Sequence, residues 1–200
     1  MNTTQVNEKS MVDIRYAVAG WLAIASACIF LPAFVLSFLH DIGKIPGLVP
    51  FIVLLGGLQT AFSVYAIYQF RNLLNEHYNF HEVDNLIMIL IIANIAITCV
   101  ATLGRIFPGY TIPAVITMVS LAVSMAIIGI MFSIRLLRLL KSNATLHGLL
   151  KPLAYLNIAG CICVLTLIGA PIGLIIFAVC DAILGVIFLK GKEEVKIEFV

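Results

Sequence analysis

The sequence predicts an all-α polytopic membrane protein, a six-helix transmembrane bundle, and three observations carry that reading. Of the 200 residues 62% are hydrophobic and only 11% are charged, against about 25% charged in an ordinary soluble domain. The apolar residues fall in long runs rather than in short alternating ones, and in lipid only helices or closed barrels satisfy every backbone group. The few charges gather in the gaps between the runs. This composition, with a mean hydropathy of +1.12, excludes a disordered chain, a secreted disulfide scaffold and a nucleic-acid binder, each of which needs polar or cationic surface.

A bilayer core of about 30 Å takes roughly 20 apolar residues per helix. Runs bounded by charge, proline or glycine give spans at 17–39, 48–70, 86–104, 112–134, 153–169 and 172–189. The last two cannot be one helix, because about 37 residues at 1.5 Å each would extend about 55 Å. Pro171, between Gly169 and Gly173, marks the reversal. Residues 1–16 then form an N-terminal arm, 17–189 the membrane domain and 190–200 a tail. The first run is long, follows a polar arm and has no small-residue cleavage site, so it reads as an uncleaved anchor.

Six spans place both termini on one side. That side holds Lys9, Arg15, Arg71, Arg135, Arg138, Lys141, Lys151, Lys190, Lys192 and Lys196, against only Lys44 and Arg105 opposite. By the positive-inside rule the termini are cytoplasmic. The expected location is a bacterial cytoplasmic membrane. The Asn2 and Asn143 glycosylation triplets then face the cytoplasm and go unused.

An echo runs through the odd spans. Asn94-Ile95-Ala96 precedes Pro108 by the same interval at which Asn157-Ile158-Ala159 precedes Pro171, with a weaker trace at Ile24-Ala25. The even spans each end on a basic residue, Arg71, Arg135 or Lys190. This suggests three successive helical hairpins; coincidence in a compositionally narrow sequence is the alternative.

Polar groups at membrane depth are costly. Asp181 lies about eight residues from either end of its run, about 12 Å from each interface and thus at the midplane. Gln59 and Asn94 reach similar depth, and Asn157 lies nearer the cytoplasmic side. No Lys, Arg or His lies in a span to pair with Asp181, so it is expected to be protonated, bonded to Gln59 or an Asn, or facing a wet cavity or a cation. The four residues form either an ion or solute site or interhelical hydrogen-bond glue.

Small residues at four-residue spacing, among them Ala23 and Ala27, Gly56 and Thr60, Ser120 and Ser124, Ala122 and Ala126, support close helix approach. In the loop after Arg71, His77 and His81 have metal-ligand spacing, but Asn79 and Glu82 resemble a capping box that opens the third helix and parts them. The segment Arg135, Arg138, Lys141 alternates with leucines, as expected of contact with lipid headgroups or a partner. In the tail, Val195, Ile197 and Phe199 alternate with charge, as a strand added to a partner would, or the tail is frayed. The five cysteines all lie in spans and act as small apolar groups. Cys161 and Cys163 point to nearly opposite faces, so no metal is expected.

No hydrolase, metalloprotease, nucleotide-binding or haem motif is present, and no in-span nucleophile has an in-span base. The chain reads as non-enzymatic and without cofactor, with the lipid bilayer as its first partner and no nucleic acid. Lacking a dense polar lining, it reads first as a scaffold or accessory subunit that works through helix contacts and the basic loop, with a membrane-protein partner or a second copy. The alternative is a small transporter or channel with a midplane site around Asp181.

Overall fold

The computed structural model describes residues 3–43, 47–142 and 148–197. Among these there is no strand. Six α-helices follow in order: α1 (Thr3–Asp41), α2 (Val49–Tyr78), α3 (Asp84–Ile106), α4 (Thr111–Ser142), α5 (Leu150–Leu165) and α6 (Ala170–Ile197), with a 3-10 turn at Pro108–Tyr110 before α4. Five are long and apolar enough to cross a membrane. The exception is α5, whose 16 residues span about 24 Å at 1.5 Å each.

Local chemistry explains where the helices depart from the apolar runs. The fifth run was expected to continue to Gly169, but Thr166 ends it. The Thr166 hydroxyl donates to the Cys163 carbonyl at 2.7 Å and accepts the Gly169 N–H at 3.2 Å, and Leu167 turns left-handed at φ 57°. Residues 166–169 are thus the reversal itself, while Pro171 sits in the first turn of α6, where its missing N–H costs nothing. The capping box is also overturned. Asn79 closes α2 instead of opening α3: it adopts φ 47°, which asparagine tolerates, and its N–H returns to the Asn75 carbonyl at 3.2 Å, the bond of an αL closure. The helix does break between His77 and His81. Both ends of the chain are more helical than expected, since α1 already begins at Thr3 and α6 runs to Ile197. The strand reading therefore fails at Val195 and Ile197, which lie in α6, where every backbone bond is made within the helix; Phe199 lies outside the described residues.

Each helix packs on its sequence neighbours and α6 closes on α1, so the bundle is a ring. Among the described residues the opposite pairs α1 and α4, α2 and α5, α3 and α6 make no close contact; the one contact across the ring joins α2 and α6. Glycines set two of its seams. A Cβ on Gly185 would lie 2.8 Å from the Gly20 carbonyl oxygen, and one on Gly173 would lie 2.8 Å from the Gly160 carbonyl oxygen. At both places backbone meets backbone, which a side chain would prevent. The small-residue pairs read from the sequence behave unequally. Ala23 and Ala126 are buried, whereas Ser120 and Ser124 face outward, the Ser124 hydroxyl donating to the Ser120 carbonyl at 2.9 Å. Large apolar residues such as Trp21, Ile92 and Ile112 are exposed around the outside, as a lipid-facing surface requires.

Packing is unequal along the ring axis. The main buried cluster, including Ala19, Phe70, Leu74, Val83, Ile87, Leu136, Leu150, Leu184 and Phe188, fills one end. This is the terminal end, where α1 starts and α6 finishes. The other, distal end has fewer buried side chains, although an added Cβ on Gly104 there would lie 2.7 Å from Ala114 Cβ. Polar clasps reinforce the terminal end. Arg71 donates to both Asp84 oxygens, at 2.9 and 3.3 Å, and Asn75 donates to the same carboxylate at 2.9 and 3.1 Å. The Tyr16 hydroxyl donates to Glu76 at 2.7 Å, and Arg135 donates to the Glu82 carbonyl.

Asp84 lies just outside the apolar run that begins at Leu86, and the Arg71 guanidinium holds its carboxyl below the ordinary carboxylate range. A depressed native value means that the clasp contributes fully above the unfolded value of about 3.9 and is lost as pH falls through the lower, native one. Asp84→Asn is expected to lower the midpoint of thermal unfolding at pH 7, by no more than about 1 kcal/mol of stability, and to flatten the fall in midpoint on acidification below about pH 4. Melting curves of both proteins across pH check this; parallel curves would mean that Asp84 is not clasped.

Candidate functional site

The ring encloses a cavity of about 320 Å³ at mid-depth, lined by residues of all six helices. Asp181, Gln59, Asn94 and Asn157, singled out by depth alone and placed on four different helices, all line it. They are not bonded to one another as the sequence suggested for Asp181. Instead the Ser26 hydroxyl, on α1, donates to Asp181 Oδ2 at 2.9 Å, and Ser63 on α2 lines the same cavity. Ser26 also lies 3.4 Å from the Gln59 carbonyl oxygen. One buried hydroxyl, that of Ser26, therefore joins Asp181 of α6 to α1 and reaches toward α2.

Asn157 has a structural engagement. Its amide donates to the Ser133 hydroxyl at 2.8 Å and to the Gly129 carbonyl at 3.2 Å, tying α5 to α4. Thr60 and Thr98 share a hydroxyl hydrogen bond of 2.7 Å between α2 and α3, and the Thr98 hydroxyl lies 3.1 Å from the Asn94 carbonyl oxygen. The side-chain amides of Gln59 and Asn94 have no partner among the described residues. Asn94 and Asn157, equivalent positions of the sequence echo, thus both reach the cavity but make different contacts.

The remaining wall is apolar. Phe30, Phe70, Phe132 and Phe177 line it, with Phe70 edge-on to Phe132 at a ring separation of 6.3 Å. Among the described residues no Lys, Arg or His lines it. Toward the terminal end the cavity gives way to the buried cluster of Phe70, Ile87, Leu153 and Leu184.

The two serines were not singled out in the sequence. Hydroxyls in membrane helices usually bond their own backbone, as Thr117 does to the Pro113 carbonyl at 2.9 Å, so a serine alone carries no signal. Ser26 and Ser63 become legible only once α1, α2 and α6 are known to be neighbours. Other candidate groups lie away from the cavity. Arg135 holds the 79–83 turn, while Arg138 and Lys141 are exposed farther along α4. His77 packs against the Tyr16 ring at 5.9 Å and His81 Nδ1 lies 3.4 Å from Asp84. Among the described residues no three metal-ligating side chains come together. Compared with models of known families, with curated proteins and with solved structures, the chain matches none.

Proposed function

We propose that this membrane protein is a small solute transporter, with the termini cytoplasmic, whose solute is held at mid-depth beside Asp181. What supports this reading above all is the convergence of four costly polar groups on one cavity that is packed shut toward the terminal end and less tightly packed toward the distal end. A protein that only joins helices needs no space between them. A transporter needs a midplane site with access from one side at a time, and a ring tightly packed at one end has that form.

A scaffold reading keeps one observation in its favour: Asn157, Thr60 and Thr98 are spent on interhelical hydrogen bonds, as glue would be. On either reading the exposed Arg138 and Lys141 would attract anionic headgroups.

The readings part on water access. In a cysteine-free background, Asn94→Cys is expected to react with a membrane-impermeant maleimide added from the distal side and to resist the reagent added from the terminal side. Failure to label from either side, in a protein that melts like its parent, would overturn the transport reading.

A further inference from the structure

We infer that the solute is an organic monocation with an apolar body, its charged nitrogen seated against Asp181 among the phenylalanines that line the cavity. The inference rests on the reading of the central cavity as a solute site and deepens it by elimination. An anion would meet a carboxylate with no cationic side chain to offset it. An amino acid or other zwitterion would satisfy only its ammonium end, because its carboxylate would find no Lys, Arg or His. A bare metal ion asks for about six or more oxygen ligands, yet among the described residues Asp181 is the only carboxylate in a largely hydrocarbon wall. A wholly apolar solute would leave the carboxylate unused and desolvated.

An organic cation meets each group present. Phe177 precedes Asp181 by one turn of α6, and Phe30 follows Ser26 by one turn of α1, so both rings share a face with the carboxylate layer and lie on its distal side. Phe70 and Phe132 lie on its terminal side. A cation between them has aromatic rings on both sides, and ring faces attract a cation through their quadrupoles, most strongly where water is excluded. The unpartnered amides of Gln59 and Asn94 are left to orient polar substituents. Pockets of this order of volume hold small organic molecules.

The test uses the full-length protein in lipid nanodiscs, titrated calorimetrically with three probes of similar shape: benzyltrimethylammonium, its neutral carbon isostere neopentylbenzene, and the anion phenylacetate, with empty nanodiscs subtracted. The cation is expected to bind saturably and the other two not at all. Asp181→Asn is expected to weaken cation binding at least tenfold while melting like the parent. Equal saturable binding of the neutral isostere or of phenylacetate would overturn the cation assignment and leave the central site standing; this arm needs no variant to fold. Absence of binding by all three also overturns the assignment, and the cysteine labelling then separates the two readings: Asn94→Cys labelled from the distal side leaves the transport reading intact, and an unlabelled one removes both.

Discussion

Gly185→Leu is expected to keep the ring from closing. A Cβ at this position would lie 2.7 Å from Ile24 Cγ1 and 2.8 Å from the Gly20 carbonyl oxygen. The first neighbour is a side-chain carbon that can shift, but the second is backbone of a helix packed along its length and cannot. Overpacking of this kind costs about 3 kcal/mol or more. Loss of the α1–α6 seam would also separate Ser26 from Asp181. Gly57→Leu is the control, since nothing lies within 4 Å of its added Cβ, and it is expected to change stability by no more than about 0.5 kcal/mol. Size-exclusion profiles and melting of the detergent-solubilised proteins, followed through Trp21 fluorescence, report the contrast. Equal melting of the two variants would mean that α1 and α6 do not approach this closely.

The second large effect is expected at Asp181, and it divides stability from function. In Asp181→Asn the amide oxygen can still accept from the Ser26 hydroxyl, so the fold and its melting midpoint should be kept. Solute handling should be lost, because an amide supplies no negative charge. Asp181→Leu removes the acceptor as well and leaves the Ser26 hydroxyl, which has 0% exposure, with only the longer contact to the Gln59 carbonyl. A loss of about 1 kcal/mol is expected for one interhelical hydrogen bond in a membrane. Full solute handling by Asp181→Asn would reduce Asp181 to structural glue. An unchanged midpoint in Asp181→Leu would remove that role too.

Much of the architecture was legible because lipid imposes a length and a composition that few other contexts impose. Six apolar runs became six helices, and only the ends moved. They moved where short-range chemistry outweighed hydropathy: the Thr166 hydroxyl ended α5 early, and Asn79 used its tolerance of the left-handed region to finish α2 instead of capping α3. Along the tail, the alternation of Val195 and Ile197 with charge pointed to a strand, but nothing obliged α6 to stop there. At the cavity, Asp181, Gln59, Asn94 and Asn157 were legible because each is expensive at membrane depth. What they face was not. The order of helices around a ring, the meeting of Gly20 with Gly185 from opposite ends of the chain, and the pairing of Ser26 with Asp181 are properties of closure. No window of sequence contains them.

The two glycine seams bear on how such a ring could move. Helix α6 rests backbone to backbone on α1 through Gly185 and on α5 through Gly173, so α5, α6 and α1 form a braced arc with little room to slide or roll. Helix α2 packs on α1 without such a backbone-to-backbone glycine contact at Gly56 or Gly57. Asp181, on α6, therefore sits in that braced arc. On the transport reading, exchange of access between the two sides would then fall to α2 and α3, moving about a charge that stays where it is, since Asn157 also ties α4 to the arc.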